Sequence, residues 1–193
     1  ALVACCRDKE EEDRFWLFPW FWLPEAIAVE RSHLASYEQW HADGCLNYCS
    51  GETIDQRDIY AKIEELSKIF RIQQLRYDPI YSEEISKNCD EALGIERVAF
   101  KQTVLNFAGP CAEFERLILC GRLHHDGHPI LAWQVGHVNV WCDCNKNRRP
   151  IKPKPGDFKT IDGVVAGIMA LSGAMAGDAG GTSHYESHEM SYV

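Results

Sequence analysis

The sequence contains no Gly-x-x-x-x-Gly-Lys-Ser/Thr loop. Such a loop wraps backbone N–H groups around nucleotide phosphates, so ATP hydrolysis is not expected of this stretch of chain. A run of the roughly 18 apolar residues that a bilayer requires is also missing, and no membrane partner is expected. The greasiest stretch, Phe15-Trp-Leu-Phe-Pro-Trp-Phe-Trp-Leu23, is short, follows an acidic patch and holds Pro19. It reads as a buried strand. Positive charge is scarce: 20 Lys and Arg stand against 29 Asp and Glu, a net charge of −9. That sign excludes a protein that clings to nucleic acid with its whole surface, so any such contact is local. No segment repeats, which sets aside solenoids and arrays.

The nine cysteines lack the paired spacing of a disulfide framework; Cys5 and Cys6 are adjacent and the total is odd. The nearest approach to a zinc site is Cys142 and Cys144 with His124, His125 and His128, again without the spacing of a finger or ribbon. Buried, reduced thiols in a cytoplasm are the simpler account.

What is present is an ordinary globular composition. The 193 residues are 46% hydrophobic and 25% charged, enough for one core. The chain starts with Ala inside an apolar run and reads as a fragment with an upstream part missing. Residues 1–6 and 15–23 form two strand-length runs around a charged turn, a hairpin expected in the middle of a sheet. A short helix to His33, a helix over 36–43 ended by Gly44 and a strand over 45–49 follow. Asp55 caps the strongest amphipathic helix, with Ile59, Ile63, Leu66, Ile69 and Phe70 on one stripe. A strand over 72–77, a helix over 80–93 and a strand over 94–100 have the βαβ order of an α/β sheet. Then come a helix over 113–120, a histidine-rich loop at 124–129, a helix over 130–136, a strand over 138–142 and an apolar helix over 162–175. Residues 1–176 are taken as one domain, and 177–193, rich in Gly and Ser, as a mobile tail.

Three features carry candidate chemistry. Asp162 stands at the entrance of the last apolar helix, where a carboxylate can cap free N–H groups or, beside a sheet, hold a metal ion. Asp78 follows a strand at its carboxyl end, where α/β sheets gather functional groups, and Asp-Pro is also a common turn. Lys146, Arg148, Arg149, Lys152, Lys154 and Lys159 share one segment with a single acid, Asp157. It reads as a local DNA contact or as a solvated Pro-rich loop.

The order of several short stretches resembles the nuclease half of the large terminase subunit of tailed double-stranded DNA bacteriophages. They are Phe18-Pro-Trp-Phe-Trp-Leu-Pro-Glu25, Ile54-Asp55, Tyr77-Asp-Pro79, Phe100-Lys-Gln-Thr103, Gly121-Arg-Leu-His-His125 and Lys159-Thr-Ile-Asp-Gly-Val-Val-Ala166. Together they span most of residues 15–171. The resemblance implies an RNase H-like fold, a mixed central β-sheet flanked by helices. It further implies cutting of concatemeric viral DNA during genome packaging, with two Mg2+ or Mn2+ ions held by carboxylates. Asp78 and Asp162 match two of the family's metal-binding acids. Lys159, one turn earlier, would orient a phosphate or water, or stand in solvent.

The implied partners are double-stranded DNA, an upstream ATPase domain, the small terminase subunit and the portal protein, in the host bacterial cytoplasm. The family's first metal-binding aspartate lies on a strand preceding the segment that starts at Ala1, so that first strand is expected to be missing. The alternative is therefore a catalytically incomplete interaction module that docks the motor or DNA.

Overall fold

The computed structural model describes residues 1–11, 13–154 and 158–176. The expected mobile tail lies outside them.

The two apolar runs at the start do pair. β1 (Leu2–Arg7) and β2 (Phe15–Trp20) form an antiparallel hairpin from Leu2 opposite Trp20 to Arg7 opposite Phe15. Asp8 closes its turn: its N–H donates to the Arg14 carbonyl, and its carboxylate accepts from Trp16 Nε1. Past Phe21 the chain continues as β3 (Trp22–Pro24), then α1 (Glu25–Glu30) and α2 (Tyr37–Ala42), and returns as β4 (Asn47–Cys49) parallel to β3.

Asp55 caps α3 (Gln56–Ile69) by accepting from the Arg57 N–H, as its sequence predicts. The apolar stripe is only partly used. Ile63 is buried, whereas Ile69 and Phe70 at the far end stand in solvent. β5 (Gln74–Tyr77), α4 (Glu83–Leu93) and β6 (Glu96–Ala99) complete the expected βαβ unit, with β5 and β6 parallel. Gly94 ends α4 at φ 65°, a left-handed position that suits glycine.

Three expectations need correction. First, α5 (Val104–Leu119) begins nine residues before the expected helix, with Thr103 accepting from the Asn106 N–H. Pro110 sits inside it and removes one backbone bond, but Phe107, Phe114 and Leu117 bury a helical face that holds the segment together. Second, the histidine-rich loop starts with a strand, β7 (Leu123–His125), parallel to β2. Third, after α6 (Pro129–Val135) and β8 (Asn139–Cys142), part of the basic loop is itself a strand, β9 (Arg148–Ile151). It closes an antiparallel ribbon on β8.

The single mixed central sheet is not seen as one ladder among the described residues. One sheet has the order β1-β2-β7, with β2 rather than β1 inside, and three two-stranded pairs stand beside it. α5 packs on β9, and α7 (Asp162–Ala176) joins the three-stranded sheet to the β5–β6 pair, packing on β1, β2, β5, α5 and α6. Buried on almost every side, it is apolar all round rather than striped. Its glycines permit close approach: a Cβ on Gly167 would touch Phe114 and Leu17, and one on Gly173 would crowd Arg76 and Gln74. Leu171 and Leu117 are wholly buried in the main core. Each such leucine contributes about 2 kcal/mol by leaving water.

Candidate metal and nucleic-acid site

Asp78 directly follows Tyr77, the buried last residue of β5. Its Oδ1 accepts from the Ile80 N–H at 2.9 Å, and its carbonyl accepts from the N–H of Ser82 at 2.9 Å. Asp78 thus does close the Asp-Pro turn, and the turn delays the next helix to Glu83 rather than residue 80. Its second oxygen is held from elsewhere: Gln102 Nε2 donates to Oδ2 at 2.7 Å.

Asp162 is the exposed first residue of α7. The helix cap that its position suggests is made by another residue. Buried Gln134, on α6, accepts from the Gly163 N–H at 2.6 Å through Oε1 and donates to Thr160 Oγ1 at 3.0 Å. One amide serves a helix N–H that would otherwise be buried without a partner.

The two aspartates share one end of the fold. α7 begins beside Phe21, whose ring lies against Gly163, and packs on β1. α5 finishes at the opposite end of the β1–β2 hairpin, where Phe15 N–H donates to the Arg122 carbonyl just past the helix. With Phe114 against Gly167, α5 runs alongside α7, so its start, next to Gln102, points back toward the Asp162 end.

Among the described residues no three His, Cys, Asp or Glu side chains gather around one point. The zinc possibility therefore gains nothing, and its histidines pack instead: His124 stacks on Trp16 and His128 lies against Phe21.

The basic residues separate into two groups. Arg148 pairs with Glu115 of α5. Arg149 Nη1 donates to the Gln102 carbonyl at 3.3 Å, and its guanidinium lies 5.7 Å from the centre of the Trp141 ring. Those two anchor the ribbon. Lys146, at φ 65° in the ribbon's turn, and Lys152 and Lys154 beyond it are exposed. Asp143 shapes that turn, accepting from the N–H groups of Asn145 and Asn147. The Asn147 side-chain amide is the main reason its carboxyl titrates below the usual aspartate value. Lys159 is half-buried ahead of α7.

Sequence reading missed Gln102 and Gln134. The second had a signal: a glutamine in the apolar run Pro129-Ile-Leu-Ala-Trp-Gln-Val135 must satisfy its amide internally. The first lies in the stretch Phe100-Lys-Gln-Thr103, but nothing there signals its bond to Asp78, because only folding brings residue 102 to residue 78.

An α/β domain with two carboxylates at one end, one at a strand's carboxyl end and one at a helix start, is the class that these features define. More narrowly, the chain belongs to the family of the terminase large subunit endonuclease domain, whose model matches residues 7–178. It is 33% identical over 165 residues to Protein YmfN of Escherichia coli (strain K12), covering 81% of this chain and 36% of that protein. It is 30% identical over 177 residues to the large terminase subunit of Enterobacteria phage HK97, covering 90% of this chain and 35% of that one. The crystal structure of the HK97 bacteriophage large terminase superposes with a TM-score of 0.77 at 26% identity, covering 90% of this chain and 37% of that chain. The chain therefore spans about a third of the length of these relatives.

Proposed function

We propose that this chain is the metal-dependent endonuclease part of a phage DNA-packaging terminase, RNase H-like in fold, hydrolysing phosphodiester bonds of concatemeric double-stranded DNA. The observation that carries the reading is the Asp162 carboxylate, exposed at the start of α7 and relieved of capping by Gln134. A carboxylate that does not cap its helix, at the end of the fold that also holds Asp78, is suited to a cation.

The donors fit in kind, because Mg2+ and Mn2+ take hard oxygen ligands. They fall short in number, since two carboxylates do not fill a two-ion site. An upstream strand carrying another aspartate, seated beside β1, would supply the remainder. Bound there, the cations would lower the pKa of an attacking water and stabilise the leaving oxygen. The chain's own residues bind and orient: Asp78 is held by two donors, and Lys146, Lys152 and Lys154 on and beyond the ribbon grip phosphates, with Lys159 near Asp162. In the packaging motor the domain would act with an upstream ATPase domain, the small terminase subunit and the portal protein, in the host bacterial cytoplasm.

The competing reading, a catalytically incomplete module that docks the motor or DNA, is favoured by one feature: both Asp78 oxygens already accept protein N–H groups. Nicking of supercoiled plasmid with Mn2+ separates the two. The chain, a form extended upstream by about 40 residues, a length set by ordinary strand and loop sizes, and the Asp78→Ala and Asp162→Ala variants of each are compared. Nicking by the extended form that both variants abolish is the expected result. Nicking that survives Asp162→Ala takes that residue out of the site, and no nicking by any form leaves the docking module.

A further inference from the structure

Gln102 has no place in the function described so far, yet it touches both Asp78 and the β8–β9 ribbon. Its side chain reaches back over 24 positions to Asp78 Oδ2, and its backbone carbonyl receives Arg149 of the β8–β9 ribbon. We propose that Gln102 is a positioning residue of the cutting site, which fixes the Asp78 carboxylate for a divalent cation and joins that carboxylate to the ribbon. The inference rests on Asp78 being a cation ligand.

The geometry supports it in two ways. A carboxylate offers about four lone-pair directions over its two oxygens. The Ile80 N–H takes one on Oδ1 and the Gln102 amide takes one on Oδ2, at 2.9 and 2.7 Å. Each oxygen thus retains a direction for a cation, and the plane of the carboxylate is set by a donor on either side. Such orientation by an outer partner commonly governs a ligand's hold on metal by 10- to 100-fold.

The second support is where Gln102 itself is fastened. Thr103, immediately after it, caps α5, and Asn106 on the first turn donates to the Lys101 carbonyl just before it. Residues on both sides are thereby tied to the helix start. Only then does Arg149, backed by the Trp141 ring, bond the Gln102 carbonyl. DNA pressing on the ribbon would bear on Arg149, then on Gln102, then on Asp78.

The test measures Mn2+ binding directly, from the free-ion electron paramagnetic resonance signal, in the chain and in the upstream-extended form. Five proteins are compared: wild type, Asp78→Asn, Gln102→Met, Arg149→Ala and the Gln102→Met with Arg149→Ala double variant. Methionine keeps the length of glutamine without its donors. Gln102→Met is expected to weaken Mn2+ binding about tenfold, the low end of that range, with the thermal midpoint little changed. Arg149→Ala is expected to weaken it about threefold, and the double variant by less than the product, because one chain of bonds is broken twice. A thermal midpoint that falls while Mn2+ affinity stays constant in Gln102→Met would make the residue structural only and overturn the inference. Wild-type affinity in Asp78→Asn, or no Mn2+ binding by either wild-type form, removes the ligand reading beneath it and the inference with it.

Discussion

His128 is buried against Phe21, and its Nδ1 has no hydrogen-bond partner among the described residues. Burial lowers its pKa below the ordinary 6.5, against the raising influence of Asp126 and of a bond to the Cys45 backbone, and with the help of His125. A base whose native pKa is depressed must be protonated at a cost. The stability of the neutral form is therefore complete above 6.5 and is lost as pH falls through the lower native value. Unfolding free energies from urea titration should drop on acidification below 6.5 by no more than about 1.4 kcal/mol per pH unit, and this part of the slope should vanish in His128→Gln. A slope identical in both proteins would assign it to other groups. The same residue shows what sequence could not display: three histidines within five positions lacked the spacing of a zinc site but had no other assigned task, and folding spends His124 and His128 on ring packing. The places of Asp78 after a strand and of Asp162 at a helix start were legible because strand ends and helix starts leave marks in sequence, whereas a metal role for either came only from the family resemblance. The bonds that hold Asp78 and satisfy the Gly163 N–H span 24 and 29 positions, and the sequence does not show which residues meet across such distances.

Elements with a strong local signature were read correctly. The first hairpin declared itself by two apolar runs around a charged turn, α3 by its Asp55 cap, and the βαβ unit by its order. The failures were elements stabilised by contacts made elsewhere. β7 is three residues long and exists because β2 pairs with it. β9 lies in a basic, proline-containing segment and exists because β8 and α5 flank it. The start of α5 was obscured by Pro110, whose penalty is offset by buried Phe107 and Phe114. α7 shows how narrow the margins in such packing are. Alanine is favoured over glycine in a helix by about 1 kcal/mol. At Gly163, however, an added Cβ would stand 2.6 Å from Phe21 Cζ and 2.9 Å from Gln134 Oε1. Phe21 is hemmed in by His128, so the ring cannot simply swing away. Overpacking of this kind costs about 1–3 kcal/mol. Gly163→Ala should therefore lower the urea midpoint at unchanged slope, for a net loss of up to about 2 kcal/mol. A rise in the midpoint would mean that the Phe21 pocket yields freely.

At the scale of the whole molecule the decisive quantity is charge. A protein with a net charge of −9 repels DNA over most of its surface, so productive contact has to be confined to a region where the sign reverses. Residues 146–154 are such a region, and their cations are not equivalent. Arg148 is already neutralised by Glu115, and Arg149 is engaged with Gln102 and Trp141. They hold the ribbon in place. Lys146, Lys152 and Lys154 are exposed, and in the proposed function they are the cations that would meet phosphates. Each phosphate contact contributes about 0.9 to the slope of log affinity against log salt on duplex DNA. Lys152→Ala with Lys154→Ala should then reduce the slope by about 1.8 and weaken binding of unrelated duplex sequences equally, because phosphate contacts carry no base information. Arg148→Ala removes a cation that is already paired, so its slope should change little even where affinity falls through loosening of the ribbon. Filter-binding titrations of one duplex from low to moderate salt decide the matter. If the Lys152 and Lys154 pair leaves the slope unchanged while Arg148→Ala reduces it, the ribbon's anchoring and gripping roles are reversed from those its ion pairs indicate.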